Sequence, residues 1–397
     1  MHTRLLAPLT ALPRALPLAL ALTMSMTLGL TPDRGVRAAD LPKATQKVLA
    51  DNQFEANLLD GIESDFAVPQ AWIDGAAKEE GVIVFGTWNE PDFRVMTAAF
   101  RERYPGVNLR YNRAGTTARG VKVLVALAEG RVITDVVTSI ADATDEFIKM
   151  KALADLRDLP NFANVPSDYV AADGTWASYR VATRCMAYNT EKVKKEDLPA
   201  TWDDLVTNPR WGGGNLALSN LADSWLLALW GSKGEQWGAD WTKKLFALQP
   251  QRRKEGMNAT AALTIAGEAD AVIPAGSDRA QQYLKKGAPL GYHCPSPVPM
   301  TVSQIAMLDK SPRKNGARLF INWMLSREAQ LIQYATTLAM PIHKAFQTPR
   351  FVPFADTILG KPHLVRDDAL LTNPIAAKMQ ETWDSYWTAP IEGPKGR

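Results

Sequence analysis

The chain has 397 residues, 46% of them hydrophobic and 22% charged, which is ordinary globular composition. That length exceeds what one hydrophobic core normally organises, so more than one compact unit is expected. The formal charge of +3 belongs to the first segment, as shown next, and gives no basic surface for nucleic acid or an anionic membrane.

Residues 1–38 read as an export signal: Arg4 and Arg14 precede an apolar run from Ala15 to Leu30, and Val36-Arg37-Ala38-Ala39 supplies small residues before Asp40. The run falls short of the roughly 20 residues of a comfortable bilayer span, although an uncleaved anchor is the competing reading. No cysteine follows the run and no arginine pair precedes it, so neither a lipid anchor nor the twin-arginine route is indicated. The segment holds Arg4, Arg14, Arg34 and Arg37 against Asp33. Its loss brings the mature chain to formal neutrality.

Residues 40–62 carry Val48, Leu49, Phe54, Leu58 and Leu59 at helical spacing, and a second helix is expected from Pro69 to Glu80, stopped by Gly81. Val82–Phe85 is a short continuous apolar run, as in a strand buried on both faces. The turn Gly86-Thr87-Trp88-Asn89 follows, then Pro91 and a helix with Phe93, Met96, Phe100 and Tyr104 on one side. The same alternation continues: strand Val107–Tyr111, turn Arg113–Thr117, helix through Val121, Leu124, Val125 and Ala128; then strand Val132–Val137, turn Thr138-Ser139, helix Ala141–Lys151. Strand, turn and helix in repetition specify right-handed crossovers and a mainly parallel sheet. Such sheets bind ligands at the carboxyl ends of their strands, where helix N-termini expose amide N–H groups.

An extended stretch from Tyr179 to Tyr188 leads to a second series. Thr201 with Asp204 forms a near capping box. Strand Leu216–Ser219, helix Ser224–Gly231, strand Ala271–Ile273 and helix Arg279–Lys286 come next. A second extended stretch, Leu290–Val302, runs on to Leu308, and a helix is expected over Asn315–Tyr334. Two α/β units with one extended segment leading out and another leading back describe a hinged clamp. Lobe one is expected at 39–182 and 295–345, and lobe two at 183–294 and 346–397.

Several segments in fixed order resemble family 1 extracellular solute-binding proteins of ABC importers, the ferric-iron and spermidine/putrescine-like group. They are Val82–Trp88, Asp135–Ser139, Ala187-Tyr188-Asn189-Thr190, Leu198–Leu205, Pro209-Arg210-Trp211-Gly212-Gly213, Gly287-Ala288-Pro289-Leu290 and Ala317–Gln330. The resemblance spans about residues 78–350. It implies a type II periplasmic-binding-protein fold with ligand between two lobes, and a periplasmic monomer that meets the membrane only through a transporter permease. Ferric-binding members bring paired tyrosines to the metal. Here no two tyrosines are adjacent, Met257–Asp278 has none, and the mature chain has only His293, His343 and His363. A hard ferric ion needs several anionic oxygens, so ferric ion stands as the alternative to a small polar or anionic organic solute. No metal site or cofactor is expected.

The ligand contacts expected from lobe one are Thr87, Trp88, Asn89, Arg113, Thr116 and Ser139. Arg184 is expected from the hinge, and Ser219, Asn220 and Ser277 from lobe two. Hydroxyls and helix-start amides would cradle a carboxylate, phosphonate or sulfonate, clasped by Arg113 or Arg184. Competing readings stand beside these: Arg113 and Arg119 as solvated charges, Trp88 as packing, and Ser219-Asn220 as a helix cap. Trp202, Trp211, Trp225, Trp230, Trp237 and Trp241 read as packing residues. Cys185 and Cys294 fall in the two extended segments; an even count in an oxidising compartment favours a bridge, with two buried thiols as the other reading. Neither G-x-S-x-G nor H-E-x-x-H occurs, so a binder rather than an enzyme is expected; an exported enzyme or a sensor on the same fold is the remaining alternative.

Overall fold

The computed structural model describes residues 41–140, 143–220, 222, 224–352, 354–355, 362–364 and 374–389. The expected export signal lies outside the described residues. Helix α1 (Lys43–Asp51) is shorter than the periodicity over 40–62 suggested; two 3-10 turns, Ala56–Leu59 and Ile62–Phe66, carry the remaining apolar positions. Helix α2 (Gln70–Lys78) ends ahead of Gly81, whose φ is +95°. A Cβ there would lie 1.9 Å from the Asn108 carbonyl oxygen, so only glycine lets β1 (Val82–Gly86) start against its neighbour.

The helix expected through Phe93 and Tyr104 is two helices, α3 (Glu90–Met96) and α4 (Ala98–Arg103). The break is at Thr97, whose hydroxyl donates to the Phe93 carbonyl at 2.7 Å, a local competition typical of threonine. Strand β2 (Leu109–Arg113) and helix α5 (Thr116–Ala128) follow, then β3 (Val136–Thr138) and α6 (Thr144–Lys149). The third strand begins four residues later than expected. At Asp135 the backbone bonds to Ile83 O and Leu308 N, and its carboxylate also accepts from Ile83 N (2.7 Å), Ser311 Oγ (2.8 Å) and Arg313 Nε (2.8 Å).

The first extended segment is the thirteen-residue strand β4 (Ala177–Asn189). Helix α7 (Trp202–Thr207) carries the full capping box, Thr201 and Asp204 bonding reciprocally. Strand β5 (Leu216–Ser219) and helix α8 (Ser224–Lys233) fall as expected. Helix α9 (Glu235–Ala247), β6 (Gln251–Arg253) and helix α10 (Met257–Ile265) were not anticipated. After β7 (Ala271–Gly276), helix α11 (Ser277–Lys285) begins two residues early. The second extended segment is interrupted into β8 (Leu290–His293) and β9 (Val298–Met307), because Pro295 and Pro297 offer no N–H to a ladder. Ser326 divides the long C-terminal helix into α12 (Lys314–Leu325) and α13 (Arg327–Thr337): its backbone is extended and its hydroxyl accepts from Ala329 N. Strand β10 (Pro362–Leu364) and helix α14 (Pro374–Thr388) complete the described chain.

The sheet runs β2-β1-β3-β9-β4-β7-β5-β6, with β10 beside β9 and β8 beside β4. Pairing is parallel within each wing, β1 with β2 and β3, β5 with β6 and β7. The strands joining the wings are antiparallel. Strand β4 pairs first with β9, Ala177↔Ile305 to Thr183↔Met300, and then with β7 and β8. One strand thus belongs to both wings, and the return path lies beside it. The wings have separate cores. The first gathers Phe93, Phe100, Tyr179, Phe320, Trp323 and Met324. The second gathers Trp202, Trp211, Trp225, Trp230, Trp241 and, from α14, Trp383, with Trp237 packed at its edge. The tryptophans expected to pack therefore do so. The Cys185–Cys294 disulfide is formed, tying β4 to the end of β8 with Cα atoms 4.9 Å apart.

Candidate ligand-binding site

The carboxyl ends of β1, β2 and β3 open on a cleft of about 500 Å³ whose far wall is the start of α10 and α11 and whose floor is β4 and β9. Its size suits a small-molecule ligand. From β1 come Thr87, Trp88 and Asn89; Arg113 ends β2 and Ser139 follows β3. The Thr87 hydroxyl and the Trp88 indole N–H are buried without a hydrogen-bond partner among the described residues. Ser139 holds φ +52°, a left-handed conformation unusual for a residue with a side chain. It is held by its N–H donating to Gln304 O (2.7 Å), by its hydroxyl with the Tyr179 hydroxyl (2.9 Å), and by Arg119, which donates to its carbonyl. The same guanidinium donates to Thr138 O (3.0 Å) and Ala114 O (2.8 Å). Arg119 therefore staples the turn after β2 to the turn after β3, and it is fully buried rather than the solvated charge that one reading had it.

The floor is charged. Residues 180 and 184 are separated by an even number on β4, so both side chains stand on one face of the strand. Arg180 Nε donates to Ser303 Oγ (3.2 Å), and its Nη1 lies 3.7 Å from Asp278 Oδ2; Arg184 Nη1 lies 3.6 Å from Asp278 Oδ1. All three side chains keep 18–19% of their surface exposed. Gly276 allows this approach, since a Cβ there would sit 2.3 Å from Arg184 Nη1. Arg279, next along α11, donates to Gln282 Oε1 at 2.8 Å. Arg113 forms no ion pair among the described residues and is exposed at the rim. Five arginines and two aspartates, Asp92 and Asp278, line the cleft, an excess of three positive charges.

The tyrosines nearby stand behind this surface. Tyr111 donates to the Trp88 carbonyl at 2.8 Å, and burial pushes its phenol far above the ordinary range, with the neighbouring Tyr179 adding to the effect. Trp88 packs among Phe93, Tyr111 and Tyr179, with ring centroids 5.0–6.2 Å apart, and only 4% of its surface remains exposed. The competing reading of Trp88 as a packing residue thus describes most of its surface. Among the described residues no tyrosine lines the cleft, and no three of His, Cys, Asp and Glu are placed to hold a metal ion.

Of the residues singled out from sequence, Thr87, Trp88, Asn89, Arg113, Ser139 and Arg184 are brought together at this cleft. Three are placed elsewhere. Ser277 Oγ accepts from Thr183 N (3.3 Å), tying α11 to β4. Ser219 is buried at the end of β5 and Asn220 is exposed; neither lines the cleft. Thr116 opens α5, and its side chain lies outside what is described. Arg180, Asp278 and Arg279 were missed. The even spacing of Arg180 and Arg184 in an extended segment was the available signal for the first, and the charged pair directly after Ser277 for the others.

A family model described as bacterial extracellular solute-binding protein matches residues 87–331. The chain belongs to that family, whose members bind solutes rather than transform them, and its fold is the type II periplasmic-binding-protein fold. Iron uptake protein A1 of Synechocystis sp. is 26% identical over 209 residues, which are 46% of this chain and 56% of that protein. Iron-bound HitA of Pseudomonas aeruginosa superposes with a TM-score of 0.65 at 20% identity, covering 77% of this chain and 99% of HitA. AfuA of Actinobacillus pleuropneumoniae, bound to fructose-6-phosphate, does so with a TM-score of 0.60 at 17% identity, covering 78% and 98%.

Proposed function

We propose that the protein captures a small organic anion in the periplasm and delivers it to the permease of an ABC transporter. The observation that carries this reading is the convergence of Arg113, Arg180, Arg184 and Arg279 on one cleft with only Asp92 and Asp278 as carboxylates. Guanidinium groups favour planar, multidentate oxyanions. The turn after β1, with the Thr87 hydroxyl, adds neutral donors. Residues 39–182 with 295–345 act as one lobe and 183–294 with 346–397 as the other. They close about β4 and β9, because a ligand touching both wings favours the state in which both contacts are made. AfuA, with its bound sugar phosphate, gives this reading a precedent on the same fold.

Iron is the second reading, favoured by the names of Iron uptake protein A1 and of iron-bound HitA. The lining offers two carboxylates and no tyrosine for a hard trivalent cation. Iron would accordingly enter as a chelate whose anionic organic part meets the arginines. Calorimetric titration of the mature protein with phosphorylated sugars, di- and tricarboxylates, sulfonates, ferric ion and ferric citrate separates the two. An organic anion binding without metal supports the first reading, with affinity at least tenfold weaker in Arg184→Ala. Binding of ferric ion alone, or unchanged affinity in that variant, removes it.

A further inference from the structure

Asp278 sits where an anion would. It lies between Arg180 and Arg184, at 3.7 Å and 3.6 Å. Those separations give charge attraction but exceed hydrogen-bond reach. Its Oδ1 is enclosed, yet it accepts no hydrogen bond among the described residues. Arg180 meanwhile spends its Nε on Ser303. A partly exposed carboxylate beside cations but lacking a donor has hydrogen-bonding capacity left to fill.

Resting on the anion reading above, we infer that Asp278 is a built-in counter-anion that keeps anions lacking a hydrogen-bond donor, such as sulfate, off Arg180 and Arg184 and selects an organic anion carrying a hydroxyl or ammonium donor. Sulfate approaching that arginine pair meets a fixed carboxylate and brings no donor for it. A ligand with an anionic end for Arg113 or Arg279 and a hydroxyl or ammonium group beside it satisfies both: the anion meets a guanidinium at the rim while the donor reaches the exposed side of the Asp278 carboxylate. Discrimination then comes from repulsion against the wrong solute as well as attraction for the right one. Sites built to hydrogen-bond a hydroxyl reject the analogue that lacks it far more strongly than apolar pockets reject a missing methylene.

Two titrations on the mature protein test this. In the first, sulfate is titrated into wild type, Asp278→Ala and Asp278→Asn, with melting curves confirming that the variants fold. The expected result is a gain of more than tenfold in sulfate affinity in Asp278→Ala, and a smaller gain in the same direction in the isosteric Asp278→Asn. A gain below threefold in both variants overturns the inference. In the second, glycerol 3-phosphate is compared with n-propyl phosphate, which lacks its two hydroxyls. Wild type is expected to prefer the former by more than tenfold, and Asp278→Ala to lose that preference. Equal binding of the two by wild type, absence of binding by either included, overturns the donor requirement, as does a preference that survives in Asp278→Ala. Failure here with Arg184→Ala still weakening anion binding removes only the role of Asp278. An Arg184→Ala variant that binds anions normally removes the underlying reading.

Discussion

The disulfide offers the sharpest quantitative test of how the second wing is held. Cys185 and Cys294 are 109 residues apart in sequence. In the chain-entropy model a closed loop of about 110 residues removes about 16 cal/mol/K from the unfolded ensemble, or about 5 kcal/mol at 25 °C. Both sulfurs are fully buried, among Ala187, Val272, Ala275, Tyr292 and Val298, so replacing them by alanine also leaves two small gaps of about 1 kcal/mol each. The Cys185→Ala/Cys294→Ala protein should therefore lose about 5–7 kcal/mol in urea unfolding followed by tryptophan fluorescence, with a steeper denaturant slope because its unfolded chain is more expanded. Side chains alternate along β4, placing Cys185 on the face opposite Arg184. Solute affinity measured below the transition should stay within about threefold, on that geometry. A stability loss under about 1 kcal/mol would show that the long loop is already restrained in the unfolded chain and would refute the entropic account.

Glu328 is fully buried and accepts from Thr45 Oγ1 (2.7 Å), Arg103 Nε (2.6 Å) and Nη2 (2.9 Å), and Trp323 Nε1 (3.0 Å). Glu328→Gln should destabilise by about 3–5 kcal/mol in chemical denaturation, because Arg103 loses its counter-charge. Trp241 donates to the Trp202 carbonyl at 2.7 Å and meets Trp202 and Trp225 edge-on; Trp241→Ala should lower unfolding free energy by about 3–5 kcal/mol through the cavity it leaves. Gly276→Ala should weaken anion binding at least tenfold by calorimetry while shifting the melting temperature little. Its Cβ would displace only the flexible ends of Arg184 and Asp278. His343 is buried, and desolvation lowers its pKa to about 4. A depressed histidine pKa means the folded state resists protonation, so its contribution is present at pH 7 and is lost as pH falls from about 6.5, the unfolded value, toward 4. Relative to His343→Asn, wild type should lose up to about 3 kcal/mol more between pH 7.5 and pH 4.5 in urea unfolding.

The wings could be read from local pattern because their strands and helices announce themselves within a few residues. Val82–Gly86 is a continuous apolar run, and Thr201 with Asp204 makes its cap in the structure as its spacing implied. The reading was weaker where a side chain broke a helix from within, as at Thr97 and Ser326. Polar unexpected elements, β6 above all, carried no apolar run to betray them. At the site, the turns after β1, β2 and β3 were found because topology alone sends them to one sheet edge. On the other wing the choice of Ser277 missed by one residue: its hydroxyl turns back to β4, and Asp278 and Arg279 face the cleft instead.

Sequence by itself thus determined the elements, their alternation, the tryptophan core of the second wing and the family resemblance, all of which depend on periodicity and capping over short spans. Only the tertiary structure decided that Arg180 and Arg184 share a floor with Asp278, that Arg119 is a buried staple, and that Cys185 meets Cys294. The first and last follow from the register of β4 against β7, β8 and β9, and the place of Arg119 from the pairing of β1 with β2 and β3. Register between strands distant in sequence is set by the packing of whole wings, which no short window of residues contains.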